Sequence, residues 1–234
     1  MSKKKKDTNS QGNGLIENPE ALAQQFSKTE EFVEKNKSVV MVLGGIVAIG
    51  ILAYFFGTYY ISEQNNNAQR DMFQAVYYFE ADSLGKALNG DGNNYGFLEI
   101  IEEYSMTPSA NIANFYAGAS YLKLGDNENG LRYLKKFSSS DYLVQSRAYS
   151  LMGDASMDLQ DFIGAASYYE KAADYNANKQ FSPTYLMKAA VANEKSSNYE
   201  GAISNYQSII DNYYNGVDYN DAKKHKARLE GMLN

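Results

Sequence analysis

The chain has 234 residues, with 22 lysines and arginines against 28 aspartates and glutamates, for a formal charge of −6. That balance lacks the basic face that bulk nucleic-acid binding needs, so no nucleic-acid partner is expected. There is no cysteine and a single histidine, His225. Disulfide scaffolds, thiolate metal sites, thiol nucleophiles and multi-histidine sites are therefore excluded.

Residues 1–17 (MSKKKKDTNSQGNGLIE) are polar and lysine-led, and predict a disordered basic tail. Asn18-Pro19-Glu20 predicts a helix start, with Asn18 as cap and Pro19 at the first helical position. Ser27-Lys28-Thr29-Glu30 reads as a second capping box. A juxtamembrane amphipathic helix is expected across 18–38, offering Leu22, Phe26, Phe32 and Val33 to lipid or to a neighbour.

From Val39 to Ile61 run 23 residues without a charge. About 20 apolar residues cross a bilayer as a helix, and backbone amides in hydrocarbon must be bonded within the segment. The run outlasts the apolar stretch of a signal peptide. Its exit is aromatic, with Tyr59 and Tyr60 where an interfacial belt belongs. A single transmembrane helix over 39–61 is expected, in contact with a lipid bilayer. Seven lysines precede it, and Arg70 is the lone basic residue in the stretch 62–81. That bias predicts a cytoplasmic N-terminus and a translocated remainder, in the periplasm of a Gram-negative cell with the helix in its inner membrane.

Beyond the span, Gln64 to Leu88 keeps helical spacing through Phe73, Val76, Tyr77, Phe79, Leu84 and Leu88. The run Asn89–Asn94 ends it. Ile100 stands where a calcium loop needs its bidentate glutamate, so this is read as a turn and no metal is expected.

Internal repetition follows. NIANFYAGASYLKLGDNENGLRYLKKF from Asn111, SRAYSLMGDASMDLQDFIGAASYYEKAA from Ser146 and PTYLMKAAVANEKSSNYEGAISNYQSII from Pro183 align as two short helices around a polar turn. Small and aromatic residues recur: Ala117-Gly118, Tyr121 and Gly130 in the first, Met152-Gly153, Phe162, Ala165, Tyr169 and Ala172 in the second, Ala190, Tyr199, Ala202 and Tyr206 in the third. Phe137 departs from the pattern. The units resemble the tetratricopeptide repeat, a helical hairpin of about 34 residues. A degenerate earlier unit is expected to end at Pro108. The resemblance implies an all-α chain: a membrane helix, a tetratricopeptide-repeat α-solenoid over 62–217, and a capping helix over 218–234. In that cap Ala222, Leu229 and Leu233 would face inward and His225 would be solvated.

The resemblance also implies a concave groove lined by the first helix of each unit. Its expected lining includes Phe115, Ala119 and Leu122, then Arg147, Asp154, Met157 and Asp158, then Met187, Val191 and Glu194. An extended or amphipathic peptide suits such a surface. The carboxylate clamp of co-chaperone repeats is not matched, since only Lys188 of its ligands is in place.

The whole arrangement, with NPEALAQQFSKTEEFVEKNK before the span and GFLEIIEEYSMTPSANIANFYAGASYLKLGD after it, resembles the YfgM-like proteins. These are ancillary subunits of the SecYEG translocon that work beside periplasmic chaperones. The resemblance implies a non-enzymatic scaffold whose partners are translocon subunits, periplasmic chaperones or client polypeptides, with no cofactor and no small-molecule substrate. The open alternative is an envelope scaffold serving cell division, secretion or motility machinery.

Overall fold

The computed structural model describes Ser27 and residues 29–233. The basic tail and the helix start at Asn18-Pro19 lie outside the described residues. The described residues form helices joined by turns, with no strand among them. The chain divides into two compact units, residues 1–59 and 60–234.

In the first unit, residues 29–35 are helical and Asn36 interrupts them as a turn. Its amide Nδ2 donates to the Phe32 carbonyl at 2.9 Å. Helix α1, Lys37–Glu80, follows with 44 residues. It contains one stretch long and apolar enough to cross a membrane, and none of that stretch is buried. Leu52 and Phe56 are 69% and 74% exposed. A core helix of a soluble protein would have a covered face here.

The second unit begins at Tyr60, still within α1. Here Ala68 and Ala75 are fully buried. Ala75, with Met72 and Phe79, packs on Phe97, Ile100, Ala113 and Ala117. Phe97 stacks on Tyr116 with ring centroids 5.2 Å apart.

One local device repeats down this unit. After Gly125, Gln160 and Ser197, which hold φ of +80°, +61° and +62°, the chain turns by the same pair of hydrogen bonds. Asp126 N donates to Tyr121 O at 2.9 Å, and Gly125 N to Leu122 O at 3.0 Å. Asp161 and Gln160 do the same to Ser156 and Met157, and Asn198 and Ser197 to Asn193 and Glu194. This is the Schellman closure, which satisfies the last carbonyls of a helix. The side chain just beyond then caps the next helix: Asp126, Asp161 and Asn198 accept from the backbone of Asn129, Gly164 and Gly201. Hairpins result: α4 (Pro108–Lys123) with α5 (Asn127–Leu134), α6 (Tyr142–Asp158) with α7 (Phe162–Asp174), and α8 (Ser182–Lys195) with α9 (Tyr199–Asn212). Helices pack on their neighbours in sequence. Gly118 faces Leu134 while Gly130 faces Leu122, the crossing order of an antiparallel pair.

A fourth such turn lies earlier than the sequence suggests. Asp82 holds φ of +56°, and Ser83 N donates to Tyr78 O at 2.8 Å. The helix expected to run from Gln64 to Leu88 therefore closes at Glu80. The Asn-Gly loop instead splits the second helix of that hairpin into α2 (Leu84–Asn89) and α3 (Phe97–Glu103). Two further boundaries differ. Helix α6 starts at Tyr142, a full turn before Ser146, because Asp141 accepts from Leu143 N and Val144 N at 2.9 and 3.1 Å. In the last helix, α10 (Tyr219–Leu233), Ala222 and Leu229 are buried but Leu233 is 56% exposed. His225 is half-buried and stacks on the Tyr206 ring at 5.5 Å, an apolar contact that its lysine neighbours in sequence conceal.

Candidate partner-binding groove

Between the first helices of two consecutive hairpins, α4 and α6, lies a groove of about 660 Å³. Ile112 and Phe115 line it from α4, Leu143, Val144 and Arg147 from α6, and Phe137 from the loop between hairpins. Phe137 is buried, and its ring sits 5.2 Å from that of Phe115. Its departure from the repeat pattern thus supplies the floor of the groove.

The loop at 138–141 is held at both ends. The Asn111 amide donates to Ser138 O at 2.8 Å and accepts from Ser138 N at 3.0 Å. Ser139 N donates to Gln145 Oε1 at 2.6 Å, and Ser139 O accepts from the Tyr175 hydroxyl at 2.8 Å. The walls are left uncovered: Ile112, Leu143 and Val144 are 41%, 45% and 38% exposed. Arg147 is exposed and makes no ion pair among the described residues. It also borders a second hollow of about 190 Å³ with Tyr142, Phe181 and Tyr185. A preformed apolar trough edged by one free guanidinium can seat two or three apolar side chains of an extended segment. The guanidinium can bond the segment's carbonyls or a carboxylate.

Of the residues expected to line the groove, the structure brings Phe115 and Arg147 together here. Ala119 is buried. Leu122, Met157 and Met187 are half-buried and pack against the core clusters that contain Leu134, Tyr169 and Tyr206 respectively. Val191 and Asp158 are exposed away from the trough.

Asp154 and Glu194 have a different occupation. Asp154 accepts from the Tyr169 hydroxyl at 2.7 Å and from Lys188 Nζ at 2.8 Å. Glu194 accepts from the Tyr206 hydroxyl at 2.8 Å and from Arg228 at 2.5 Å. In each case a carboxylate on a first helix receives a tyrosine from its own hairpin and a cation from the element that follows. Lys188 also lies over the Tyr169 ring, 5.3 Å from its centroid. Burial first, and then the carboxylate bond, push the Tyr169 and Tyr206 hydroxyls well above their ordinary range. Asp71 and Tyr104 repeat the pair at 2.5 Å, and the bond to Asp71 pushes the Tyr104 hydroxyl up to about 12. The Lys188 and Arg228 bonds tie each hairpin to the helix that follows it.

Among the described residues no cluster of histidine, aspartate and glutamate could hold a metal ion. In the Asn-Gly loop the Asp91 carboxylate accepts from the Tyr78 hydroxyl at 2.6 Å and from Asn93 N and Asn94 N at 2.8 Å each. Those donors hold its carboxyl far below the usual range and occupy the lone pairs that a cation would need.

The groove escaped sequence reading in part because Leu143 and Val144 fall before the aligned repeat. The available signal was Ser138-Ser139-Ser140-Asp141, a cap ahead of an apolar pair. Compared with family models and with curated proteins, the chain matches none.

Proposed function

We propose that this protein is a non-enzymatic, membrane-anchored tetratricopeptide scaffold. Residues 39–61 form its transmembrane helix, its N-terminal tail is cytoplasmic, and its hairpins receive an extended apolar polypeptide segment in the periplasm. The observation that carries this reading is the open trough of Ile112, Leu143 and Val144 between two hairpins, on a chain that also carries an uncovered apolar stretch long enough to cross a membrane. The resemblance to YfgM-like proteins favours the Sec translocon as the docking complex. Chaperones or emerging clients would then be the groove's occupants. Tethering supports weak binding, because an effective concentration near the millimolar range compensates for a small interface.

The test is a photoreactive phenylalanine analogue placed at Ile112 or Leu143 in the full chain in native membranes, with Met232 as the distant control. Adducts with translocon subunits, chaperones or nascent polypeptide from the groove positions support the proposal. Groove positions that yield no more adduct than Met232 refute it.

A further inference from the structure

The geometry points to a second lipid contact: the turn around Met106 rests in the headgroup layer beside the exit of the transmembrane helix. This rests on reading residues 39–61 as the anchor.

Residues Glu103, Tyr104, Ser105, Met106 and Thr107 close a small hollow of about 60 Å³ against Tyr60, Ile61 and Gln64. Tyr60 and Ile61 are the last residues of the charge-free run, so whatever touches them stands at the edge of the hydrocarbon. The turn is fixed there. Asn65 Oδ1 accepts from Ser109 N at 2.9 Å and from Ser109 Oγ at 2.8 Å. Asn65 is four residues past Ile61, about 6 Å along the helix axis. The Tyr104 hydroxyl donates to Asp71 at 2.5 Å, and Thr107 Oγ1 donates to Tyr104 O at 2.8 Å. Held so, the turn is fixed to the helix segment that begins at Tyr60.

Its tip is apolar. Met106 is 71% exposed, and Tyr60 across the hollow is 49% exposed. A flexible thioether near an exposed tyrosine suits the boundary between headgroups and acyl chains. Glu102 and Glu103 are exposed on the approach to the turn, so like charge disfavours an anionic surface and the occupant is a zwitterionic headgroup layer.

The absence of cysteine from the sequence makes the test direct. The full chain carrying Met106→Cys, Leu52→Cys or Leu124→Cys is labelled with an environment-sensitive fluorophore. Each variant is reconstituted in phosphatidylcholine vesicles with brominated acyl chains. Leu124 ends the helix that Thr107 begins, about 24 Å away, and is 54% exposed. The expected result is loss of fluorescence at positions 52 and 106 and none at 124. Loss at 52 with position 106 behaving as 124 does would overturn the inference and leave the anchor standing. No loss at 52 would overturn the anchor, and the inference with it.

Discussion

Gly153 of α6 faces the Tyr169 ring of α7, and a single methyl there tests how the second hairpin is packed. A Cβ at this position would stand 2.5 Å from Tyr169 Cε1 and 2.6 Å from Cδ1, against ordinary carbon contacts of about 3.5–4.0 Å. The ring has nowhere to go. It is 3% exposed, its hydroxyl is bonded to Asp154 at 2.7 Å, and Lys188 lies over its face. Overpacking of this kind costs about 1–3 kcal/mol, while alanine in a helix interior gains about 1 kcal/mol over glycine. Gly153→Ala should therefore lose up to about 2 kcal/mol. Gly231 in α10 has nothing within 4 Å of a built Cβ, so the same substitution there keeps only the propensity gain, up to about 1 kcal/mol. The assay is a urea titration of the full chain in mild detergent, followed by far-ultraviolet circular dichroism. A midpoint for Gly153→Ala raised as far as that of Gly231→Ala would show that the helices do not meet at this residue.

Four further outcomes follow from the same structure. The buried hydroxyl of Ser156 has no hydrogen-bond partner among the described residues, so Ser156→Ala should be neutral or stabilising by about 1 kcal/mol in that titration, and a clear loss would reveal a partner. Gln160→Gly and Ser197→Gly should each raise the midpoint, since both residues hold the left-handed conformation that costs other residues about 1 kcal/mol. Tyr169 and Tyr206 have hydroxyls raised above the ordinary value of 10.0, so the folded chain holds these protons more tightly than the unfolded one. That stability is complete below the ordinary value and is lost as the pH climbs past it. Tyr169→Phe should flatten the alkaline loss, and an unchanged slope would contradict the assignment. Lysine at both Ile49 and Leu52 adds about 3 kcal/mol each to membrane insertion. It should release the chain from carbonate-washed membranes, and an unchanged pellet fraction would count against the anchor.

What the sequence made legible follows from which interactions are local. The charge-free run and the small-aromatic alternation at Gly118, Gly130, Gly153 and Tyr169 are one-dimensional signals, and the helices and hairpin turns lie where those signals put them. The turn at Asp82-Ser83 was masked because a stronger loop signal, the Asn-Gly run at 89–94, lies close behind it. The helix start at Asp141 was hidden by an alignment that began the repeat at Ser146. The groove was only partly legible, because whether a side chain lines a concave face or packs between helices depends on the crossing of the helices. Phe115 and Leu122 both pack against the same core, yet Phe115 also lines the trough and Leu122 does not. Asp154 and Glu194 could not be placed because their partners Lys188 and Arg228 lie two helices further along the chain.

Limited proteolysis of right-side-out, carbonate-washed membranes, with mass spectrometry of both fractions, tests the central claim most directly. The account predicts a lipid-retained fragment containing residues 39–61 and release of most of residues 62–234 as one protease-resistant helical body. Recovery of the intact chain in the wash, with no fragment left in the lipid, would contradict it.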